Sequence, residues 1–259
     1  MAVGTAAYSN AVTGYAERLA GSTWTLESVP APPGTEASYL EKVSCPSSKS
    51  CTAVGNAKTK PSTWVPLVSR WNGKVWASEE AKLPAEAKRG SFTSISCATS
   101  TTCVAAGDWE KGKRYSLSEE WNGSTWRILP SPAGGEEDVL EGISCASATA
   151  CTAVSGSVAE HWNGKAWTME VGGSLEEAYL RGVSCATTTL CTATGDGASG
   201  PIAERWEGGT WKTIPAARTG ASREVHLWAI DCPSTSSCVS AGSFQAEILG
   251  PHYTLAEVY

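Results

Sequence analysis

The ten cysteines are the residues whose spacing most directly indicates chemistry. They fall into five pairs with five residues between the partners: Cys45–Cys51, Cys97–Cys103, Cys145–Cys151, Cys185–Cys191 and Cys232–Cys238. Each pair brackets a predicted turn between two strands, where an antiparallel hairpin places the two Cβ atoms within disulfide reach. We therefore predict five disulfides, each within one hairpin, and an oxidising compartment. Buried free thiols and metal ligation are the alternatives, although zinc sites usually combine shorter Cys spacings with further Cys or His residues.

The residues that could support catalysis form no recognisable constellation. His161 occupies a position held by Arg or Glu in other repeats, which indicates an ordinary exposed residue. His226 and His252 have no Ser or Cys nucleophile marked out for them. The acidic run 136–138 could hold Ca²⁺ only with further oxygen ligands, so we predict solvated loop charge. A glutamate recurs just before an aromatic position, which favours a hydrogen bond between repeats over acid catalysis: Glu17, Glu160, Glu204 and Glu257. No catalytic residue, metal or cofactor is predicted.

The tryptophans divide into a repeated set and three residues that break the pattern. Nine occupy equivalent positions, which predicts packing between repeats: Trp71, Trp121, Trp162 and Trp206, then Trp24, Trp76, Trp126, Trp167 and Trp211. The alternative is a ring of sugar platforms, since an indole face stacks on a pyranose. The three that break the pattern are Trp64, Trp109 and Trp228. They are candidates for ligand or partner contact, with local loop packing as the alternative. The predicted ligand-binding candidates are Trp64, Trp109, Tyr8, His226, Trp228 and His252.

These residues belong to a unit that recurs along the whole chain. Its first half reads Leu-x-x-Val/Ile-Ser-Cys, five residues, then Cys-x-Ala-x-Gly, and its second half ends in Trp-Asn-Gly-x-x-Trp. The first cysteines stand at 45, 97, 145, 185 and 232, so the repeat averages (232 − 45)/4, or about 47 residues. Each unit holds four short apolar–polar stretches separated by turn residues, which predicts four antiparallel strands, named a to d. Asn-Gly between strands c and d predicts a tight hairpin, because both residues tolerate positive φ.

Four-stranded units of this length predict an all-β fold, a β-propeller of four-stranded antiparallel blades with residues 1–259 as one domain. A linear β-solenoid is the alternative, although its coils are usually shorter. Residues 2–4 match strand b and residues 253–259 match strand c, so the chain begins and ends inside a unit. We favour six blades, with the first and last each one strand short. In the five-bladed alternative, residues 22–29 supply strand d of the last blade, and residues 1–20 have no place in a blade.

The paired motifs resemble the repeat of a family of secreted actinobacterial proteins. The resemblance rests on Ser-Cys-x5-Cys-x-Ala-Val-Gly followed by Leu-Ala-Glu-x-Trp-Asn-Gly-x2-Trp, and it covers nearly the whole chain. It implies a secreted repeat propeller and carries over no catalytic residue. The Trp-Asn-Gly hairpin is also similar to the Asp-box turn of sialidases. The leading Ser and the Asp of that turn are absent, so only turn chemistry is shared.

Composition and charge restrict the classes of function. The chain has 20 Lys and Arg against 26 Asp and Glu, a net charge of −6, which gives no surface suited to nucleic acid. No apolar run approaches the roughly 18 residues of a membrane-spanning helix. Residues 1–20 do not resemble a signal peptide, so a secreted location predicts that this is a mature fragment.

The order of the strands predicts which loops share a face. The a–b and c–d turns lie on one side of each blade and are short and nearly constant, whereas the b–c and d–a loops lie on the other side and vary in length. Variable loops on a rigid scaffold usually carry binding. We therefore predict an extracellular, non-catalytic recognition module, lectin-like or protein-binding, whose partner is a carbohydrate or an extracellular protein. The alternatives are a structural component of a surface complex or fibre, oligomerising through incomplete terminal blades, and a glycan-active enzyme.

Overall fold

The computed structural model describes residues 1–8, 11–131, 139–171, 175–176, 178–197, 200–216, 224–245 and 252–259. Nearly all secondary structure in these ranges is antiparallel strand, and they contain no α-helix. Consequently, no helix in the described part of the chain is long and apolar enough to cross a membrane. The predicted all-β class and its repeated four-stranded antiparallel sheets are confirmed. The chain divides into two compact units, Met1–Leu140 and Glu141–Tyr259, which are described in turn.

The first unit holds one three-stranded group of strands b to d, followed by two complete groups of strands a to d. Its strands are β1 (Ala2–Tyr8), β2 (Ala11–Ala20), β3 (Thr23–Glu27), β4 (Thr35–Ser47), β5 (Ser50–Thr59), β6 (Thr63–Trp71), β7 (Trp76–Glu79), β8 (Arg89–Thr99), β9 (Thr102–Glu110), β10 (Arg114–Trp121) and β11 (Trp126–Leu129). One parallel pairing, Val12 with Ala37, joins the first group to the second. The strand β3 pairs with β2, so the segment that the five-bladed alternative assigned to the last blade serves as strand d of the first group.

The second unit holds two complete groups of strands a to d and a last group of strands a to c. Its strands are β12 (Gly142–Ser147), β13 (Ala150–Ser155), β14 (Val158–Trp162), β15 (Trp167–Val171), β16 (Ala178–Thr187), β17 (Leu190–Gly197), β18 (Gly200–Trp206), β19 (Trp211–Ile214), β20 (Glu224–Ser234), β21 (Ser237–Gln245) and β22 (His252–Val258). Each group is a separate antiparallel sheet whose strands follow chain order. Every strand position assigned from the repeat is therefore present.

All five predicted disulfides form, and each closes the turn between strands a and b. The bonded pairs are Cys45–Cys51, Cys97–Cys103, Cys145–Cys151, Cys185–Cys191 and Cys232–Cys238. The c–d turn packs directly on this a–b turn: a Cβ added at Gly164 would lie 2.8 Å from Cγ2 of Thr149. The two short turns of a sheet therefore share one side, as predicted.

The geometry predicted for the c–d hairpin is wrong in one respect. The connection is a four-residue loop in which the Asn122 side chain closes the turn, because its Oδ1 accepts the N–H groups of Ser124 and Thr125 at 3.0 Å. Gly123 has a φ of 96°, whereas Asn122 does not adopt positive φ. The asparagine thus acts through its side chain, which mimics a backbone turn, and only the glycine needs the left-handed region.

The small polar residues of the repeat join each sheet to the next. In the second unit, Ser144 Oγ accepts the backbone N–H of Cys185 at 2.9 Å, and Ser184 Oγ accepts that of Cys232 at 2.9 Å. The threonine after the second cysteine contacts the next disulfide, with Thr152 Oγ1 lying 3.3 Å from Cys191 Sγ. The Ser-Cys and Cys-Thr pairs are therefore contacts between repeats as well as elements of one hairpin.

Strand a carries a β-bulge at the same repeat position in four sheets. The bulged residues follow a buried Leu or Phe and are Glu41, Thr93, Arg181 and Trp228. The glycine of Cys-x-Ala-x-Gly faces this bulge so closely that a Cβ at Gly55 would lie 2.0 Å from the carbonyl oxygen of Tyr39. The remaining complete sheet has Ser155 in place of this glycine, and its strand a begins only at Gly142. A bulge changes the direction in which a side chain points, and each of these positions lies four residues before the first cysteine of its repeat.

The repeated tryptophans form the core, as predicted, with the exception of Trp24. Three of the four cross-strand Trp pairs on strands c and d have ring centroids 5.5–5.9 Å apart, and their rings are almost fully buried: Trp71 with Trp76, Trp121 with Trp126, and Trp162 with Trp167. Such burial leaves these rings unavailable as sugar platforms. Trp206 is half-buried, and Trp24 is 51% exposed. The prediction of a core role is therefore wrong for Trp24.

The prediction that His161 is an ordinary exposed residue is also wrong. Its ring is half-buried and stacks on Trp206 of the following sheet at a centroid distance of 4.4 Å. Its Nδ1 lies 3.0 Å from Thr152 Oγ1, and burial lowers the pKa of the imidazole. In the first unit, the guanidinium of Arg70 takes the equivalent place, 4.0 Å above the Trp121 ring. This position therefore supplies a stacking partner for the next sheet, a role that a pattern of charged residues does not reveal.

Candidate ligand-binding site

A pocket of about 340 Å³ opens in the first unit between the sheets β4–β7 and β8–β11. Its walls come from the ends of strands b and c of one sheet and from strands a, b and c of the next. The lining residues are Asn56, Trp64, Arg89, Gly90, Ser91, Asp108 and Arg114. These residues lie toward the b–c and d–a connections, so the pocket is at the end of the sheets where the sequence predicts variable loops.

One buried carboxylate organises the polar wall of the pocket. Asp108 Oδ1 accepts a hydrogen bond from Ser91 Oγ at 2.8 Å, and Asp108 Oδ2 accepts one from Arg114 Nε at 3.1 Å. Arg114 Nη2 lies 3.1 Å from Asp108 Oδ1. Ser91 on β8 is the direct cross-strand partner of Asp108. Arg114 on β10 lies two residues from the direct partner on that strand. The bidentate pairing holds the planar guanidinium in one orientation.

A second ion pair holds the other arginine of the pocket. Arg89 and Glu110 are direct cross-strand partners on β8 and β9, and they form a salt bridge. In both ion pairs the carboxylate is the more buried partner and roughly half of the arginine side chain stays exposed. The pocket therefore presents oriented N–H donors whose positive charge is compensated, an arrangement that suits carbonyl, hydroxyl or carboxylate oxygens.

Trp64 supplies the apolar wall. Its ring is half-buried and packs against Tyr39 at a centroid distance of 5.6 Å. It stands on β6 directly after the b–c turn, where Lys60–Pro61 is a cis peptide and Ser62 has a φ of 93°. The combination of one accessible aromatic face with a few convergent polar groups is typical of a ligand site.

The other predicted candidates lie outside this pocket. Trp109 stacks on Tyr115 at 4.9 Å and packs against the core cluster of its sheet, and it does not line the cavity. His252 is exposed at the start of β22. Tyr8 ends β1, but its side chain lies outside the described residues, as does the acidic run 136–138.

His226 and Trp228 meet in the second unit, in a cluster that also contains Asp196, Arg181 and Tyr179. His226 Nδ1 lies 3.0 Å from Asp196 Oδ1, and Arg181 Nε donates to Asp196 Oδ2 at 2.8 Å. The Arg181 guanidinium lies over two rings, 4.7 Å from Tyr179 and 4.5 Å from Trp228. Trp228 remains 47% exposed although its Nε1 donates to Ser243 Oγ at 3.1 Å. The cluster thus holds an exposed indole in a defined orientation.

Apart from His226, sequence reasoning missed the charged residues that build both sites. Asp108 and Asp196 are equivalent, each five residues after the second cysteine of its repeat. Arg181 and Trp228 occupy the bulge position of consecutive sheets. A detectable signal was present, because the residue after the Leu or Phe of strand a changes type between repeats, from Glu41 and Thr93 to Arg181 and Trp228. This variation points to a functional position only once the bulge is known, and the periodicity of a strand does not predict a bulge.

The buried glutamates of strand c are structural. Burial raises the pKa of Glu119 to about 7, although its Oε1 accepts the backbone N–H of Lys82 at 2.8 Å. Glu204 Oε1 accepts a hydrogen bond from Thr213 Oγ1 of its own sheet at 2.7 Å. Neither residue lines the pocket. Across the described ranges, no group of three or more His, Cys, Asp or Glu residues is arranged to hold a metal ion.

Comparison with known proteins supports the fold. No protein-family model matches the sequence, and no curated protein matches it. The chain is similar to the solved structure of YCF48 bound to D1 peptide, with 15% identity and a TM-score of 0.52 over 80% of this chain, and it spans 62% of the length of that protein. It is also similar to a protein of unknown function from Dyadobacter fermentans, with 12% identity and a TM-score of 0.61 over 96% of this chain and 84% of the other. These propeller-like neighbours place the chain in the class of all-β repeat proteins built from four-stranded blades.

Proposed function

We propose that this protein is an extracellular, non-catalytic recognition module that binds an extended segment of a partner protein in the pocket between β4–β7 and β8–β11. The observation that carries the proposal is the pocket itself, which combines oriented arginine donors with the Trp64 wall. The five disulfides fit an extracellular or otherwise oxidising location. Within this proposal the chain forms six blade units, because residues 23–27 already serve as strand d of the first group.

A peptide suits the chemistry of the pocket. A peptide in extended conformation presents a carbonyl oxygen at every residue, and Arg89 and Arg114 offer planar sets of N–H groups at the pocket wall. Asn56 adds an amide that both donates and accepts, which matches the alternating groups of a peptide backbone. One apolar side chain of the segment would pack on Trp64. A peptide-bound structure among the fold neighbours, that of YCF48 with D1 peptide, supports this choice of ligand class.

The test starts with selection of binders from a random peptide library displayed on phage, followed by titration of one synthetic peptide. Trp64→Ala should weaken binding by at least about 30-fold, since removal of a buried aromatic anchor costs roughly 2 kcal/mol. Arg114→Lys should also weaken binding, because a lysine cannot keep the bidentate contact with Asp108. Both variants should melt close to the wild-type temperature.

Two matched controls locate the site. Trp109→Ala removes an aromatic residue that packs on Tyr115 outside the pocket, so it should lower stability and leave affinity unchanged. Asn122→Ala alters a c–d turn, on the side of the sheet opposite the variable loops, so it should not affect binding either. Wild-type affinity in Trp64→Ala, with binding lost in Asn122→Ala, would put the site on the opposite side and exclude this function.

A second candidate function is glycan binding at Trp228. The favouring observation is an indole that is 47% exposed yet held by Arg181 and Ser243, because a preorganised ring can stack on a pyranose at low entropic cost. A glycan array probed with wild type and Trp228→Ala separates the two functions. Binding of an array component that is lost in Trp228→Ala and retained in Trp64→Ala would favour the glycan function.

A further inference from the structure

The strand ends and turns that border the pocket carry an excess of positive charge, although the whole chain has a net charge of −6. These segments contain seven Lys or Arg residues and three Asp or Glu residues: 35–37, 56–64, 88–91 and 108–114. Each of the three carboxylates already has a cationic partner: Glu36 pairs with Lys58, Asp108 with Arg114, and Glu110 with Arg89. The local excess therefore consists of lysines.

Three of these lysines have no carboxylate partner within the described part of the chain. Lys60 stands in the b–c turn that leads into β6. On the following sheet, the backbone N–H of Lys88 donates to the carbonyl oxygen of Glu110 at 2.8 Å, and Lys111 directly follows Glu110. Both lysines therefore stand beside the ion pair of Arg89 with Glu110. All three lysines are exposed, so their charge acts on a ligand that approaches the pocket.

Arg89 lines the pocket with one edge of its guanidinium unused. Its Nε donates to Glu110 Oε2 and its Nη2 contacts the same oxygen, whereas no described residue pairs with Nη1. A guanidinium is planar and has five N–H groups, so the edge formed by Nη1 and Nη2 keeps two N–H groups for a ligand. The Arg89 side chain is 54% exposed, and its contact with Glu110 holds it in place.

A carboxylate matches this edge better than a neutral oxygen does. Its two oxygens accept both N–H groups, and such charge-assisted bonds are roughly twice as strong as neutral ones. Trp64 offers an apolar ring in the same pocket. Neighbouring side chains of an acidic peptide supply a carboxylate and an apolar group together. A long polyanion would extend past the lysines and meet the rest of a chain whose net charge is −6.

We propose that the segment bound in the pocket is acidic, with an Asp or Glu side chain on the open edge of Arg89 and a nearby apolar side chain on Trp64. The inference rests on the proposed peptide-binding function and adds the charge class of the peptide. Lys60, Lys88 and Lys111 attract the segment and raise its association rate.

The test uses pools of synthetic decapeptides that are acetylated at the N-terminus and amidated at the C-terminus. One central residue is fixed as Glu, Gln or Lys, and the other positions are mixtures of uncharged residues. Immobilised wild type should retain the Glu pool at least about 5-fold better than the Gln pool, and the Lys pool least, because only the Glu pool forms the charge-assisted pair. This preference should shrink when NaCl rises from about 50 mM to about 500 mM.

A matched pair of double variants locates the carboxylate contact. Arg89→Gln with Glu110→Gln removes the ion pair at constant net charge, and should lower retention of the Glu pool to that of the Gln pool. Arg127→Gln with Glu120→Gln is the control, because these residues are also cross-strand partners in an ion pair of the same sheet but do not line the pocket. The control should keep the wild-type preference, and both double variants should melt close to wild type.

Different failures identify different errors. Equal retention of the Glu and Gln pools, with both lost in Trp64→Ala, would overturn the acidic ligand and leave the peptide function intact. Failure to retain any pool would overturn both. A preference for Glu that survives in the Arg89 and Glu110 double variant would remove the assigned role of Arg89.

Three further arms separate other sources of negative charge, and a positive result in any of them would overturn the proposal. A Gln pool with a free C-terminus that binds as well as the Glu pool would assign the carboxylate to a chain end. Stronger competition by a single-stranded oligonucleotide than by the Glu pool would make the lysines a polyanion site. Retention of the Glu pool only after Glu136→Gln, Glu137→Gln and Asp138→Asn would show that this chain supplies the acidic segment itself.

Discussion

The backbone of Gly107 lies so close to Ser91 that a Cβ added to the glycine would be 2.1 Å from the carbonyl oxygen of that serine. Gly107 on β9 pairs with Phe92 on β8, the residue that lies between Ser91 and the bulge at Thr93. The same Ser91 donates to Asp108 in the pocket wall. The glycine of the repeat thus permits the bulge, and the bulge in turn shapes the end of the sheet that carries the candidate site.

Gly107→Ala should destabilise the protein by about 2 kcal/mol or more, because the contact is with backbone that must shift. The measurement is urea unfolding followed by tryptophan fluorescence. Gly209→Ala is the control, since a Cβ there meets no atom within 4 Å. Equal stability of the two variants would show that the close approach is not needed for folding.

Ser44→Ala tests the hydrogen bond between repeats in the first unit. Ser44 Oγ accepts the N–H of Cys97 at 3.0 Å, so its removal leaves a partly buried backbone donor without this acceptor. We expect a loss of about 1–2 kcal/mol in unfolding free energy. Ser44→Thr keeps the hydroxyl and should lose less. A loss as large in Ser44→Thr as in Ser44→Ala would assign the effect to packing.

Trp126→Ala should cost about 3–5 kcal/mol, the usual range for a large aromatic side chain removed from a packed core. Trp24→Ala removes the equivalent indole where it is exposed, and should change the stability of the monomer little. Thermal and chemical unfolding of both variants checks this contrast. An unchanged melting temperature in Trp126→Ala would contradict the core role of this ring.

Glu119 makes stability depend on pH between about 4.5 and 7. Burial raises its folded-state pKa to about 7 from the ordinary value of 4.5, so the folded state binds a proton more tightly than the unfolded state. The stabilisation is therefore complete below pH 4.5 and is lost as pH rises to 7, by roughly 3 kcal/mol for a shift of this size. Glu119→Gln should remove this dependence and be the more stable form at pH 8. Glu86→Gln, at an exposed position, should leave the pH profile of unfolding unchanged.

Removal of one disulfide should weaken the protein without unfolding it. In the double variant Cys145→Ser with Cys151→Ser, a loop of about seven residues is no longer closed, which corresponds to roughly 2.4 kcal/mol by chain entropy. The other four bridges and the inter-repeat contacts remain. Circular dichroism and sedimentation should therefore report a compact β protein with a lower melting temperature. A random-coil spectrum would show that the bridge is essential for folding of the second unit.

Local patterns were enough to predict the strands, the cysteine pairing and most of the core. Strand alternation, turn residues and the Cys-x5-Cys spacing act within one hairpin, and the 22 strands found among the described residues follow the repeat in chain order. Even there, tertiary contacts decided two outcomes. Trp24 occupies a core position of the repeat but is 51% exposed, and His161 was expected to be exposed but stacks on Trp206 of the following sheet.

By itself, the sequence determined the repeat unit, its four strands, its disulfides and the side of the sheets where variable loops collect, because each of these depends on residues close together in the chain. Only the tertiary structure decided which variable residues meet. Trp64 and Arg114 line one pocket although 50 positions separate them, and Arg181 reaches Trp228 from the neighbouring sheet. The physical reason is that both sites form where consecutive sheets pack, and Arg181 and Trp228 also stand at bulges, whose positions depend on close backbone contacts between strands.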